Sequence, residues 1–135
     1  MNSFSLKIVT PDGLQFDGKA EELIVRTTSG DMGILAGHID CVAPLGMGMA
    51  TVVVDGQKRY AACIGGMLSV VGGEVTLVPT TFEWSDTIDR VRAEKSENRA
   101  RAILSDKAST QTEIRLAEAR LKRALIRKSV SEYKR

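Results

Sequence analysis

From residue 86 to residue 135 the chain has no glycine and no proline, although it carries 12 and 3 of them in all. Both residues punctuate turns and strand ends and weaken helix interiors, so their absence excludes a turn-rich β architecture here and reads as helix. Histidine occurs once, at His38, and no sequence pattern couples it to a nucleophile, which leaves it as a hydrogen-bonded loop residue. The two cysteines, Cys41 and Cys63, have no CxxC spacing and no second histidine with which to complete a metal set. Both sit in apolar, strand-like runs and are expected to be buried free thiols, compatible with a reducing compartment. No apolar run approaches the roughly 20 residues needed to cross a bilayer. Residues 1–13 also lack the apolar core of a signal peptide. Any membrane association is therefore expected to run through a partner. Together these absences leave no catalytic constellation and no metal site in the sequence.

What is present is an ordinary globular composition, 43% hydrophobic and 27% charged over 135 residues, enough for one core-bearing domain plus an appendage. The formal charge of +2 conceals a division. Residues 1–85 hold 5 Lys/Arg against 9 Asp/Glu, whereas residues 86–135 hold 14 against 8. A basic arm on an acidic body points to an anionic partner or ligand, or to the body itself.

Residues 4–9 begin by alternating apolar and polar side chains, the period of a half-buried strand. Pro11-Asp12-Gly13 then turns the chain, and residues 22–27 read as a β-branched strand. Residues 50–54 and 57–64 flank Asp55-Gly56, a two-residue hairpin signal, and residues 67–71 and 74–78 flank Gly72-Gly73 in the same way. Short strands at this spacing, without helices between them, predict an antiparallel sandwich or flattened barrel. Residues 29–38 break the rhythm: Gly30, Gly33 and Gly37 enclose an apolar plug of Met32, Ile34 and Leu35. This stretch reads as a tight connection whose plug tucks under the sandwich. It is not a phosphate loop, since no Gly-Lys-Ser/Thr and no strand-to-helix switch follows.

In the tail, Asp86 is expected to cap a first helix running to Leu104, with Asp89 three positions on near the positive end of the dipole. Residues 105–109 form the turn, and Thr110-Gln111-Thr112-Glu113 is a capping box that opens a second helix. Ile114, Ala117, Leu121 and Ala124/Leu125 give that helix an apolar stripe, whereas the first offers only Ala93, Ala100 and Ala102 between Val91 and Ile103. Small side chains bury little area, so docking of the first helix is expected to be marginal. Asp89, Arg92, Ser96 and Arg99 share one face of the first helix by 3, 4, 3 spacing, and Arg120, Arg123 and Arg127 share one on the second. If the helices fold back on each other, guanidinium groups converge, and an always-charged fork suits phosphate. The same pattern is also that of a solvated basic surface laced by pairs such as Glu94–Asn98 or Glu118–Lys122. A small nucleic-acid-binding module is a further alternative, weakened because the tail offers a single aromatic residue, Tyr133, for stacking.

The segment Gly30-Asp31-Met32-Gly33-Ile34-Leu35-Ala36-Gly37-His38 resembles the G-[DE]-x-G-I-L-x-G-H signature of the epsilon subunits of F-type ATP synthases. Val9-Thr10-Pro11-Asp12-Gly13 resembles that family's opening turn, and Ile64-Gly65-Gly66-Met67-Leu68-Ser69-Val70 its glycine-paired strand. One departure is Asp40, where members usually carry proline. The resemblance implies an α+β fold: an antiparallel β-sandwich of about ten strands over residues 1–84, then an antiparallel two-helix hairpin over residues 85–135. It implies a non-catalytic central-stalk subunit, peripheral on the cytoplasmic face of the bacterial plasma membrane, that couples ion translocation to ATP synthesis. The sandwich would bind the gamma subunit and the c-ring, with Gly30, Asp31, Gly33, Ile34, Leu35, Gly37 and His38 as a rotor-interface loop. The hairpin would be mobile and regulatory, meeting the alpha and beta subunits when extended and inhibiting ATP hydrolysis. Ile88-Asp89-Arg90-Val91-Arg92-Ala93 matches the I/L-D-x-x-R-A motif by which many bacterial members bind ATP. Glu83, Arg99, Arg123 and Arg127 stand where such members complete the site. The resemblance thus implies ATP as a regulatory ligand of Glu83, Ile88, Asp89, Arg92, Ala93, Arg99, Arg123 and Arg127, and no required cofactor.

Overall fold

The computed structural model describes residues 2–133. Ten strands come first: β1 (Phe4–Thr10), β2 (Gly13–Ala20), β3 (Glu22–Thr27), β4 (Gly30–Ile34), β5 (Cys41–Pro44), β6 (Met47–Val54), β7 (Gln57–Ile64), β8 (Met67–Val71), β9 (Glu74–Val78) and β10 (Thr81–Trp84). A single 3-10 turn, Ser85–Thr87, leads into helices α1 (Arg90–Ser105) and α2 (Gln111–Ser131). The strands form two five-stranded sheets, ordered β2-β1-β9-β8-β5 and β10-β7-β6-β3-β4. Successive strand side chains point to opposite faces, so Phe4, Leu6 and Ile8 of β1 turn inward while Ser5, Lys7 and Val9 do not. They meet Leu23, Val25, Val52, Leu68, Val70, Val75 and Leu77 in one core between the sheets.

Both two-residue hairpins form as the sequence predicts. Asp55 and Gly56 take φ of 51° and 76°, and Gly72 and Gly73 take 57° and 82°, the paired left-handed geometry that matches strand twist. Asp55 bears this conformation without being glycine because its N–H and that of Gly56 each donate to the Glu21 carboxylate at 2.9 Å. Gly66 in the second glycine pair answers a different need: at φ +98° a Cβ would overlap the Val78 carbonyl oxygen. The pairing is not wholly antiparallel, for β1 runs parallel to β9, with Ser5 opposite Glu74 and Ile8 opposite Leu77. These two strands lie far apart in the chain and no hairpin constrains their direction, so no local signal foretells it.

Two details of the sandwich correct the sequence reading. Residues 30–34 are not a connection but an edge strand paired with β3, Leu23 opposite Ile34. Ile34 is fully buried and Met32 half-buried against the core, whereas Leu35 is 58% exposed instead of tucked beneath it. Met32 and Ile34 share the inward parity of the strand and Leu35 has the opposite one. Likewise, Cys63 on β7 is buried, its thiol pushed up to about 12 by loss of solvent, but Cys41 is only half-buried because β5 is the outer strand of its sheet.

The hairpin also differs at its root. Asp89, not Asp86, caps α1, its carboxylate accepting from Arg92 N at 3.0 Å. The 3-10 turn occupies residues 85–87 and Ile88 stays extended, so the helix cannot start at Asp86. The capping box of α2 forms in full: Thr110 Oγ1 accepts from Glu113 N, and the Glu113 carboxylate accepts from Thr110 N. Ala117 and Ala124 of its stripe are buried, with Ile114 and Leu121 half-buried beside them and Leu125 39% exposed. α1 packs chiefly on α2, and α2 packs in turn on β6, β7 and the 3-10 turn. The fully buried apolar side chains of α1 are Ala93 and Ala100, at about 0.8 kcal/mol per methyl-sized group. The first helix is accordingly held as much by charge as by apolar contact.

That charge is concentrated at Glu97, buried in the helix–helix seam, where Arg101 Nε and Lys128 Nζ both donate to its carboxylate at 2.9 Å. Arg90 adds a bond to Glu94 at 3.2 Å and one to Glu132 at 2.9 Å. The expected Glu94–Asn98 and Glu118–Lys122 pairs do not form. The hydrogen bonds from Lys128 and then Arg101 hold the Glu97 carboxyl below the ordinary glutamate range. A depressed carboxylate stabilises the fold fully above its unfolded-state value, and that contribution disappears as pH falls through the lowered one. Hydrogen-exchange protection of α1 amides should therefore decline on the acid side. Glu97→Gln should begin from lower protection near neutrality and show a shallower acid decline. Parallel pH profiles for the two proteins would remove Glu97 as the acid-sensitive tie between the helices.

Candidate anion site between hairpin and sandwich

The 3, 4 spacing that puts Arg92, Ser96 and Arg99 on one face of α1, and Arg120, Arg123 and Arg127 on one face of α2, turns both faces toward β10 once the hairpin is folded. Between them and the sandwich lies a cavity of about 510 Å³. Its hairpin wall is formed by those six residues and Ala124, and its sandwich wall by Ile64, Thr81, Phe82 and Glu83, with Asp12 from the β1–β2 turn. Five guanidinium groups thus face two carboxylates. One of the five is engaged: Arg127 donates to Glu83 through Nε at 2.6 Å and Nη2 at 3.2 Å, a bidentate pair in which both side chains are mostly buried. Among the described residues, the side chains of Arg92, Arg99, Arg120 and Arg123 have no hydrogen-bond or ion-pair partner. Guanidinium cannot shed its charge, so four like charges around one cavity repel each other, and a multivalent anion would relieve that repulsion.

The structure brings Glu83, Arg92, Arg99, Arg123 and Arg127 together around this cavity. It does not bring the other three predicted residues into its lining. Asp89 is committed to the α1 cap, Ala93 is buried with no exposed surface, and Ile88 is half-buried between the 3-10 turn and the cap. The lining adds Arg120 and Ser96, whose spacing already placed them on the shared faces, and Asp12, Thr81 and Phe82, which no local pattern ties to the tail.

The glycine-rich segment sits elsewhere. Arg26 Nε donates to Asp31 at 2.6 Å, but both side chains are at least half exposed and the pair contributes little. After β4 the chain turns through Gly37 at φ +85°, with His38 N–H donating to the Leu35 carbonyl at 3.1 Å and the His38 ring bonded to the Ile39 carbonyl at 2.8 Å. His38 is thus the hydrogen-bonded loop residue that the sequence predicts. Asp40 accepts from Gly72 N at 2.9 Å, so its side chain ties the loop to the β8–β9 turn. Leu35, Ile39 and Val42 are each more than half exposed. Val42 pairs with Ser69, placing it on the outer face of the first sheet with Met67 and Val71, also exposed.

The aromatic residues near the hairpin are occupied. Tyr133 packs against Tyr60 with the rings tilted by 59° and 5.0 Å between centroids, and Trp84 lies edge to face with Phe82 at 4.9 Å beneath the Arg59 guanidinium at 3.7 Å. A nucleic acid would find basic side chains here but no free stacking platform. No group of three His, Cys, Asp or Glu side chains among the described residues is placed to hold a metal ion, and none of the described helices is long and apolar enough to cross a membrane.

Residues 3–85 match the family model for the ATP synthase, Delta/Epsilon chain, beta-sandwich domain. The chain is 43% identical to the ATP synthase epsilon chain of Bacillus velezensis over 97% of its own length and 98% of that protein. It is also 43% identical to the ATP synthase epsilon chain of Ruminococcus albus, over 99% of this chain and 100% of that one. In fold it is similar to a chain of the Euglena gracilis mitochondrial ATP synthase, with a TM-score of 0.79 at 24% identity, covering 90% of this chain and 77% of the other. Since the sandwich matches the family model and the curated relatives extend through the hairpin, the chain belongs to the ATP synthase epsilon chain family.

Proposed function

We propose that this chain is a rotor-stalk subunit with no chemistry of its own, whose helical hairpin senses ATP. The observation that carries this reading is the row of five arginines assembled around one cavity only because the hairpin lies folded on the sandwich. Phosphate oxygens accept charge-assisted, bidentate hydrogen bonds from guanidinium, so a nucleoside triphosphate suits four unpaired forks better than a monovalent anion does. Glu83 and Asp12 supply acceptors for the hydroxyl or amine donors of the nucleoside.

A ligand shifts a conformational equilibrium only through differential affinity, and moving 1:99 to 99:1 takes about 5.5 kcal/mol. In an extended hairpin the two arginine rows would leave Glu83 and β10, so ATP has reason to favour the folded state. Folded, the hairpin permits rotation. Extended beside the gamma subunit, its basic second helix meets acidic surfaces of the alpha and beta subunits and resists ATP hydrolysis. The small apolar anchor of α1 and its reliance on the Glu97 tie leave that helix easily released. The sandwich would clamp gamma to the c-ring, and the exposed apolar residues Leu35, Ile39, Val42, Met67 and Val71 offer surface for such contacts. The subunit would then be peripheral, on the cytoplasmic face of the bacterial plasma membrane.

Titration calorimetry of the isolated chain with ATP should give a saturable heat. Arg92→Ala or Arg123→Ala should weaken binding roughly tenfold or more, the scale of losing hydrogen bonds to a charged group. Equal affinity in all three proteins would remove the sensor. Ending the chain after Asp86 keeps every strand and removes both helices. The shortened subunit should still join gamma and should relieve inhibition of ATP hydrolysis. Loss of assembly would contradict the division of labour between sandwich and hairpin.

A further inference from the structure

The tail carries one aromatic residue, Tyr133, and the proposed switch gives it no task. It follows directly on α2. The Val130 carbonyl accepts from Tyr133 N at 2.9 Å and the Ser129 carbonyl from Glu132 N at 3.2 Å, so the helix closes in a tightened turn. Val130 and Ser131 are buried at this end. Beyond them the Tyr133 ring meets Tyr60 of β7, tilted by 59° with 5.0 Å between centroids, within the range where aromatic pairs attract. Arg90, the first residue of α1, donates to Glu132 at 2.9 Å, so β7, the start of α1 and the end of α2 all meet here.

This contact differs in kind from the Arg127–Glu83 pair. That pair borders the cavity and is made of charges, which ligand oxygens, salt or an acidic partner can replace. Neither tyrosine lines the cavity, and ring against ring does not depend on formal charge. We propose that Tyr133 and Tyr60 form an aromatic clasp, which holds the hairpin on the sandwich without nucleotide and sets how readily it leaves. The clasp rests on the reading of the hairpin as movable, and not on ATP binding. Because α2 packs on β6 and β7, its C-terminal end must come off β7 before the helix can leave the sheet. Tyr133 is 43% exposed and lies outside both helices and the sandwich core, so its loss leaves each half folded.

Ala62 supplies the readout. It is fully buried, yet it shares the parity of Tyr60, while Ala61 and Cys63 on either side face the sandwich core. The hairpin is therefore what covers it. In the full chain with Cys41→Ala and Cys63→Ala, the thiol placed by Ala62→Cys should react with iodoacetamide only when the hairpin lifts. Without nucleotide, Tyr133→Ala should speed that reaction about two- to tenfold, the scale of one aromatic pair. Tyr133→Phe should keep the parent rate, and in a chain already carrying Tyr60→Ala, Tyr133→Ala should add nothing. A chain that keeps Cys63 as its sole thiol reports opening of the sandwich itself, and Tyr133→Ala should leave its rate alone. An unchanged rate in Tyr133→Ala would overturn the clasp. So would the same acceleration whether or not Tyr60 is present, or an equal acceleration at Cys63. A thiol at position 62 that reacts no faster than Cys63 in the parent chain would overturn the clasp and the movable hairpin together. ATP affinity enters none of these rates, so the nucleotide reading stands or falls separately by calorimetry.

Discussion

The contact between Arg127 and Glu83 is the joint on which the arrangement of the two halves depends. It ties the last turns of α2 to β10 through two parallel hydrogen bonds, in a place where both side chains are mostly withdrawn from water. Removing either partner would strand a charge there, which costs more than the pair itself contributes. The same contact divides the arginines. One is neutralised by the sandwich and the other four face the cavity. A hairpin held only by apolar packing would have no reason to collect so much like charge on its inner face.

That arrangement has an energetic consequence for motion. The sandwich is fixed by a continuous core of large aliphatic side chains, whereas α1 is fixed to α2 by two buried alanines, the Glu97–Lys128 bond that Arg101 supports from within α1, and the Arg90–Glu132 pair. Apolar burial is indifferent to direction and hard to reverse, while charge contacts are readily exchanged for others of the same kind. In the proposed switch the tail trades its contacts with Glu83 and a phosphate chain for acidic surfaces on neighbouring subunits. The charge division between residues 1–85 and 86–135 makes such an exchange chemically even.

Much of this was legible in the sequence, and what was not had physical reasons for being hidden. Asp55-Gly56 and Gly72-Gly73 announced their hairpins because only certain residues tolerate left-handed backbone at two consecutive positions. The arginine faces were legible because helical period is a strict rule. The parallel β1–β9 pair was not, since it joins strands brought together by the whole sandwich and not by any turn. Leu35 was misplaced by treating an edge strand as a loop; once β4 pairs with β3, parity alone sends Leu35 outward. Asp86 and Asp89 are equally good caps by residue type, and the choice between them fell to the 3-10 turn that consumes residues 85–87. Asp12 reaches the cavity from the opposite end of the sequence, which only the folded chain reveals. Asp89, Ile88 and Ala93 lie outside the lining, with Asp89 at the cap of α1 and Ala93 buried in that helix.

The central claim is that a nucleotide in the cavity holds the hairpin against the sandwich. It is tested most directly by the distance between spin labels at Lys107, in the α1–α2 turn, and Lys58, on β7, in the isolated chain with Cys41 and Cys63 replaced by serine. Pulsed electron resonance should show two distance populations without nucleotide, the shorter of which grows as ATP is added. The same distribution at every ATP concentration would mean that the arginine row does not couple ligand to hairpin position, and would contradict the proposed switch.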